Sequence, residues 1–161
     1  LKPYKNITEH IVNRQTACKN DVLMFFDYPC DDEVLTHIKQ TTCASSIHYM
    51  NYQNYKTDEE NMLKAFASMI RYSCNNLEGK FVLKRGASAL GVTEEIIETL
   101  LEVFADCGMI KITSREAEVY KIDFVNGVEL SKALHSTKYA EFVELMNTIN
   151  DYKNKFMIID L

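Results

Sequence analysis

The sequence predicts a mixed α+β chain in two parts, residues 1–57 and residues 58–161. Three observations predict it. An apolar run, an amphipathic stretch and a second apolar run follow one another between Val22 and Tyr52, the order of a small βαβ unit. Residues 77–122 read helix, turn, helix and two-stranded hairpin, the order of a winged helix. No Gly/Ser linker separates the two stretches near Gln53 to Asp58, so the parts are expected to pack against each other.

Each element has a local reason. A weak helix is expected around Thr8 to Ala17. Val22 to Phe26 is a continuous apolar run bounded by Asp27, Tyr28 and Pro29, and reads as a buried strand. Asp31 can cap a helix from about Asp32 to Gln40, with Val34, Leu35 and Ile38 inward. Ile47 to Tyr52 reads as the next strand, parallel to the first with a right-handed crossover. This α/β piece is too short for a complete doubly wound sheet and is expected to finish its sheet against another part of a longer protein.

Thr57 and Glu60 have the spacing of a capping box opening a helix to about Cys74, with Met62, Phe66, Met69 and Ile70 inward. Leu83, Ala87 and Leu90 share one face of a short helix that Gly91 ends. Thr93 caps a second helix running to about Asp106, with Ile96, Ile97, Leu100, Leu101 and Phe104 as its apolar face. Gly108 ends it in a left-handed conformation. Met109 to Thr113 and Glu118 to Ile122 are the strands of the hairpin. Ser131 to Ser136 is a connection. Thr137 to Lys153 reads as a helix with Phe142, Val143, Met146 and Ile149 on one face, and Phe156 to Ile159 as a last strand or docked tail.

A winged helix suggests duplex DNA, but its second helix is acidic. Glu94, Glu98, Glu102 and Asp106 recur every four residues and form one stripe, with Glu95 beside them. A recognition helix meets dense phosphate in the major groove, and this stripe would repel it. The stripe therefore reads as a protein-interaction or architectural surface. The opposite charge gathers at Lys80, Lys84, Arg85, Lys111, Arg115 and Lys121, which could guide a single strand by its phosphates. The plainer reading of that cluster is solvated surface. Residues 1–57 carry six basic and six acidic groups, so the entire net charge of −5 falls in residues 58–161 and neither part is a basic module.

No active site is legible. Asp27, Asp31, Asp32 and His48 could hold a divalent metal at a strand's carboxyl end. The plainer reading gives Asp31 and Asp32 to the helix start and Asp27 to the turn before Pro29. The loop Asp27-Tyr28-Pro29-Cys30-Asp31-Asp32 has neither glycine nor lysine for a pyrophosphate. His10, His37 and His135 are isolated, and no nucleophile elbow or paired-histidine zinc motif occurs. An intact small hydrolase using Asp27 and His48 would need activity without any fusion partner. Five cysteines without a CxxC pair suit a reducing cytoplasm, with Cys74 and Cys107 as small core residues. No membrane span or signal peptide is visible. The chain begins at Leu1 rather than Met, and is expected to be a piece of something longer.

The chain resembles the extra C-terminal domain of RecJ-type single-strand-DNA-specific exonucleases of Gram-positive bacteria. The resemblance rests on four stretches. Val22-Leu23-Met24-Phe25-Phe26-Asp27-Tyr28-Pro29 is similar to that domain's apolar strand ending in Asp-x-Pro, and Ile47-His48-Tyr49-Met50 to the strand after it. Leu100 to Ile110 resembles its hydrophobic helix running into the wing. Leu130-Ser131-Lys132 with Ser136-Thr137-Lys138-Tyr139 resembles its closing segment. The resemblance implies a parent enzyme that degrades single-stranded DNA from the 5′ end in repair and recombination, with manganese or magnesium in a catalytic core bearing a DHH motif. No such motif stands in this chain, so no catalytic residue and no cofactor is carried over to it. The implied role is an accessory module that positions the strand or recruits a partner such as the single-strand-binding protein. The rival reading is a free-standing winged-helix transcriptional regulator with an α/β sensory part.

Overall fold

The computed structural model describes residues 12, 14–25, 28–49 and 58–157. The fold is mixed α+β, with one two-stranded and one three-stranded sheet. The expected helix at Thr8 to Ala17 lies mostly outside the described residues, and Arg14 to Thr16 form a turn. Strand β1 (Val22–Phe25), helix α1 (Asp32–Thr42) and strand β2 (Ser46–Tyr49) form the βαβ unit, and the strands pair in parallel from Val22↔Ser46 to Phe25↔Tyr49. Asp31 caps α1 as expected, its carboxylate accepting the Val34 N–H at 2.7 Å. Leu35 and Ile38 are buried against Phe25, with Leu23, Ile47 and Tyr49 around them.

The expectation of a buried β1 is corrected. Val22 and Met24 are 51% and 46% exposed, while Leu23 and Phe25 face α1. Strand side chains alternate between faces, and a single crossover helix covers only one of them.

The second part holds the main core. It runs through helix α2 (Glu59–Asn76), strand β3 (Lys80–Val82), helix α3 (Leu83–Leu90), helix α4 (Glu94–Asp106), strands β4 (Ile110–Glu116) and β5 (Val119–Phe124), a 3₁₀ helix (Leu130–His135) and helix α5 (Tyr139–Met157). The cap of α2 is Asp58, which accepts the Asn61 N–H at 2.7 Å. Glu60, expected in a capping box with Thr57, pairs with Lys64 at 2.6 Å; Thr57 lies outside the described residues. Aspartate is the better N-cap acceptor, and it stands one residue closer to the helix.

Strand β3 is absent from the sequence reading. It has three residues, and its partner is β5, paired antiparallel as Lys80↔Lys121, Phe81↔Tyr120 and Val82↔Val119. The sheet order is β3-β5-β4. Gly79 makes this pairing possible. Its φ is +76°, and a Cβ there would stand 2.3 Å from the Ile122 carbonyl oxygen. Gly91 and Gly108 end α3 and α4 with φ of +65° and +74°, as expected, and Cys107 keeps a φ of −84°.

The hairpin strands run further than expected. The β4–β5 register continues past a bulge between Ile112 and Ser114 to Glu116↔Val119, and Ala117 turns the chain at φ +51°. Phe156 and Met157, expected in a last strand or a docked tail, continue α5 as helix; 158–161 lie outside the described residues.

Every apolar residue expected on α4 is fully buried: Ile96, Ile97, Leu100, Leu101 and Phe104 are at 0% exposure. Phe66 of α2 is the centre of the aromatic packing. It meets Phe104 edge-on at 4.9 Å and Phe81 at 5.7 Å between ring centroids. Phe142 and Met146 of α5 close the core from the other side. Val34 of α1 touches both the main core and the smaller cluster around Phe25.

Candidate functional site

Helix α4 carries the acidic stripe, and the structure shows where each carboxylate goes. Glu98 Oε1 accepts from the Arg115 guanidinium and from the Tyr120 hydroxyl, the latter at 2.7 Å. Both donors lie on the hairpin, and Arg115 also stacks 5.0 Å over the Tyr120 ring. Burial, together with the Glu98 carboxylate beside it, pushes the Tyr120 hydroxyl up to about 12. Glu102 pairs with Lys138 at 3.3 Å, and Lys138 reaches Glu141 at 2.8 Å as well. Asp106 Oδ2 accepts three hydrogen bonds, from Ser136 Oγ and Thr137 N at 2.8 Å and from Thr137 Oγ1 at 3.0 Å. These bonds, that from Ser136 first, hold its carboxyl below the usual aspartate range. Glu94 and Glu95 occupy the first turn, where they complement the helix dipole.

The stripe thus fastens the hairpin and the start of α5 to α4. Glu98, Glu102 and Asp106 remain reachable by solvent, but each already faces a donor of this chain. A protein partner would have to displace those donors to use them.

The six basic candidates divide into three groups. Lys84 pairs with Glu118 at 2.6 Å, and Arg115 belongs to Glu98. Arg115 therefore sits against the acidic stripe itself: strand alternation turns it, with Tyr120 and Phe81, towards α4. Lys80, Lys111 and Lys121 lie on the opposite, outer face of the sheet. Lys80 and Lys121 stand directly across from each other, while Lys111 stands across from Asp123. Arg85 is exposed on α3.

The divalent-metal arrangement is not assembled among the described residues. No group of three or more histidine, cysteine, aspartate or glutamate side chains is placed to hold a metal ion there. Asp31 serves as the α1 cap, Asp32 accepts the Tyr152 hydroxyl at 2.7 Å, and His48 is exposed on β2; Asp27 lies outside the described residues. His37 and His135 are exposed, and His10 lies outside the described residues.

The residues that form the seam between the two parts carry no mark in the sequence pattern. Arg14 donates to the Val92 carbonyl at 3.0 Å and lies 3.6 Å from the Cys30 sulfur. Cys30 is 3% exposed and packs into the main core; burial, with Asp31 adding, pushes its thiol up to about 11. Tyr152 and the buried Lys153 approach the same region from α5. No periodicity marks Arg14 or Tyr152, because their partners lie 78 and 120 positions away. Tyr120 was within reach: alternation along Val119 to Phe124 places it beside Ile122 on the inner face. Cys74 and Cys107 are half-buried against the core, and all the described cysteines are free thiols.

No family model, curated protein or solved structure matches this chain. Among the described residues no helix is long and apolar enough to cross a membrane.

Proposed function

We propose that this chain is a non-catalytic, winged-helix-like accessory module of a RecJ-type single-strand-DNA exonuclease, working in the cytoplasm in DNA repair and recombination. The motif resemblance over Val22 to Pro29, Ile47 to Met50, Leu100 to Ile110, and Leu130 to Lys132 with Ser136 to Tyr139 points to that parent. The order α2, β3, α3, α4, β4, β5 with β3 and β4 flanking β5 supports the winged-helix-like reading of the second part. Manganese or magnesium belongs to the parent's catalytic core in this reading, and no chemical step is assigned to this chain.

One observation carries the proposal. The helix in the position of a recognition helix presents carboxylates, and three of them are tied to the hairpin and α5. A duplex-reading helix needs a free, cation-bearing outer stripe. The module's work is then recruitment of a partner, such as the single-strand-binding protein, or positioning of the strand.

The test compares the parent exonuclease with and without this region. Removal should leave single-turnover hydrolysis of a short oligonucleotide intact, while lowering processivity on long single strands or capture of the single-strand-binding protein. Unchanged processivity and unchanged capture would refute the module reading. Dimerisation of the isolated chain with duplex binding of steep salt dependence would favour a transcriptional regulator instead.

A further inference from the structure

The outer face of the β3-β5-β4 sheet carries a row that the ion pairs among the described residues leave unneutralised. Register places Ser114, Lys121 and Lys80 side by side across the three strands. Directly paired residues project from the same face, so one hydroxyl and two ammonium groups line up there. Neighbouring strands lie about 4.8 Å apart, which brings two like charges close together. Like charges directly opposite on paired strands destabilise a sheet. Elsewhere on this part, Lys64, Lys84, Arg115 and Lys138 each meet a carboxylate. Lys80 and Lys121 have no carboxylate partner among the described residues.

We infer that the Lys80–Lys121–Ser114 row binds the phosphodiester backbone of single-stranded DNA. The inference rests on the accessory-module reading and gives the strand-positioning role to a particular face. An anion is the ligand that turns the lysine repulsion into attraction. Lysines on adjacent paired strands can turn both ammonium groups to one phosphate or to two, and the Ser114 hydroxyl can donate to a further oxygen. The row carries no apolar anchor of the kind around which protein interfaces are built. Backbone binding of a single strand needs none. The flanking rows limit the site. Lys111 stands across from Asp123 on one side, and Glu116 lies across from Val119 on the other. These carboxylates confine the attraction to the middle row, so the strand crosses the sheet there rather than spreading over the face.

The experiment uses the full 161-residue chain and a fluorescein-labelled oligothymidylate, read by anisotropy over a salt series. The wild-type chain should bind at low salt. Lys80→Gln with Lys121→Gln should weaken binding by on the order of tenfold and flatten the log–log salt slope by about 1.4, the share of two phosphate contacts on a single strand. Lys64→Gln, on the distant α2 face, should leave affinity and slope unchanged. The double variant should keep or raise the Tm, because it removes a repulsion; this separates lost binding from lost folding. An unchanged slope in the double variant overturns the row assignment, and so does absence of wild-type binding at low salt. Neither outcome touches the accessory-module reading, which stands or falls on the processivity and capture of the parent enzyme.

Discussion

Replacing Gly79 by alanine should separate two costs that usually come together. Gly79 and Gly108 have nearly the same φ, +76° and +74°, so a side chain pays a similar left-handed penalty at either place, about 1–2 kcal/mol. Their surroundings differ. A Cβ at Gly108 meets nothing within 4 Å, whereas at Gly79 it falls 2.3 Å from the Ile122 carbonyl oxygen. That contact is with backbone, so it is relieved only by moving β3 away from β5. The movement strains two bonds of 2.9 Å, Gly79 N–H to the Ser73 carbonyl and Ile122 N–H to the Gly79 carbonyl. Each is worth about 1 kcal/mol net. Gly79→Ala should therefore cost about 3–4 kcal/mol and Gly108→Ala about 1–2 kcal/mol. For a chain of this size the two variants should differ in Tm by roughly 4–8 °C. Urea denaturation followed by circular dichroism gives both free energies, with equal m-values as the control for a two-state comparison. Equal losses for the two variants would refute the close approach as the reason for glycine at position 79.

Three further outcomes follow from the core, the α4 clamp and the seam. Phe66→Ala should cost about 3–5 kcal/mol by urea denaturation, because it empties the centre of the Phe81–Phe66–Phe104 cluster; a loss below 1 kcal/mol would mean that α2 collapses into the space. The Asp106 carboxyl is held below its ordinary value, so its contribution is complete above about pH 4 and is lost as pH falls through the lower folded-state value. Asp106→Asn should lower the urea midpoint at pH 6 and flatten its decline towards pH 3, and a parallel decline would contradict the assignment. Thiol titration with an aromatic disulfide at pH 8 should modify exposed Cys18 and Cys43 first and Cys30 only after unfolding, since burial pushes that thiol up to about 11; early loss of Cys30 would show that the seam opens.

What the sequence disclosed was chiefly local. The inner face of α4 shows in the spacing of Ile96, Ile97, Leu100, Leu101 and Phe104, and all five are buried. Asp31 and Thr93 stand where cap residues belong, and both accept the expected backbone N–H. The hidden features depend on distant partners. Three residues, Lys80 to Val82, have too little pattern to announce a strand, and their pairing residues lie some forty positions downstream. The apolar run at Val22 looked buried because composition alone does not reveal how many layers cover a sheet. The acidic stripe was visible, but its destinations were not. Glu98 and Asp106 find Arg115, Tyr120, Ser136 and Thr137 only after the hairpin and α5 fold back over α4.

That arrangement limits which substitutions α4 can accept. Conversion of α4 into a cationic reading head would need Glu98, Glu102 and Asp106 replaced. The same replacements would leave Arg115 and Lys138 facing new positive charge and free the segment at Ser136 and Thr137. Gain of groove affinity and loss of architecture are therefore coupled in this chain, because the carboxylates that would have to go are the ones that hold the hairpin and the segment before α5 against α4.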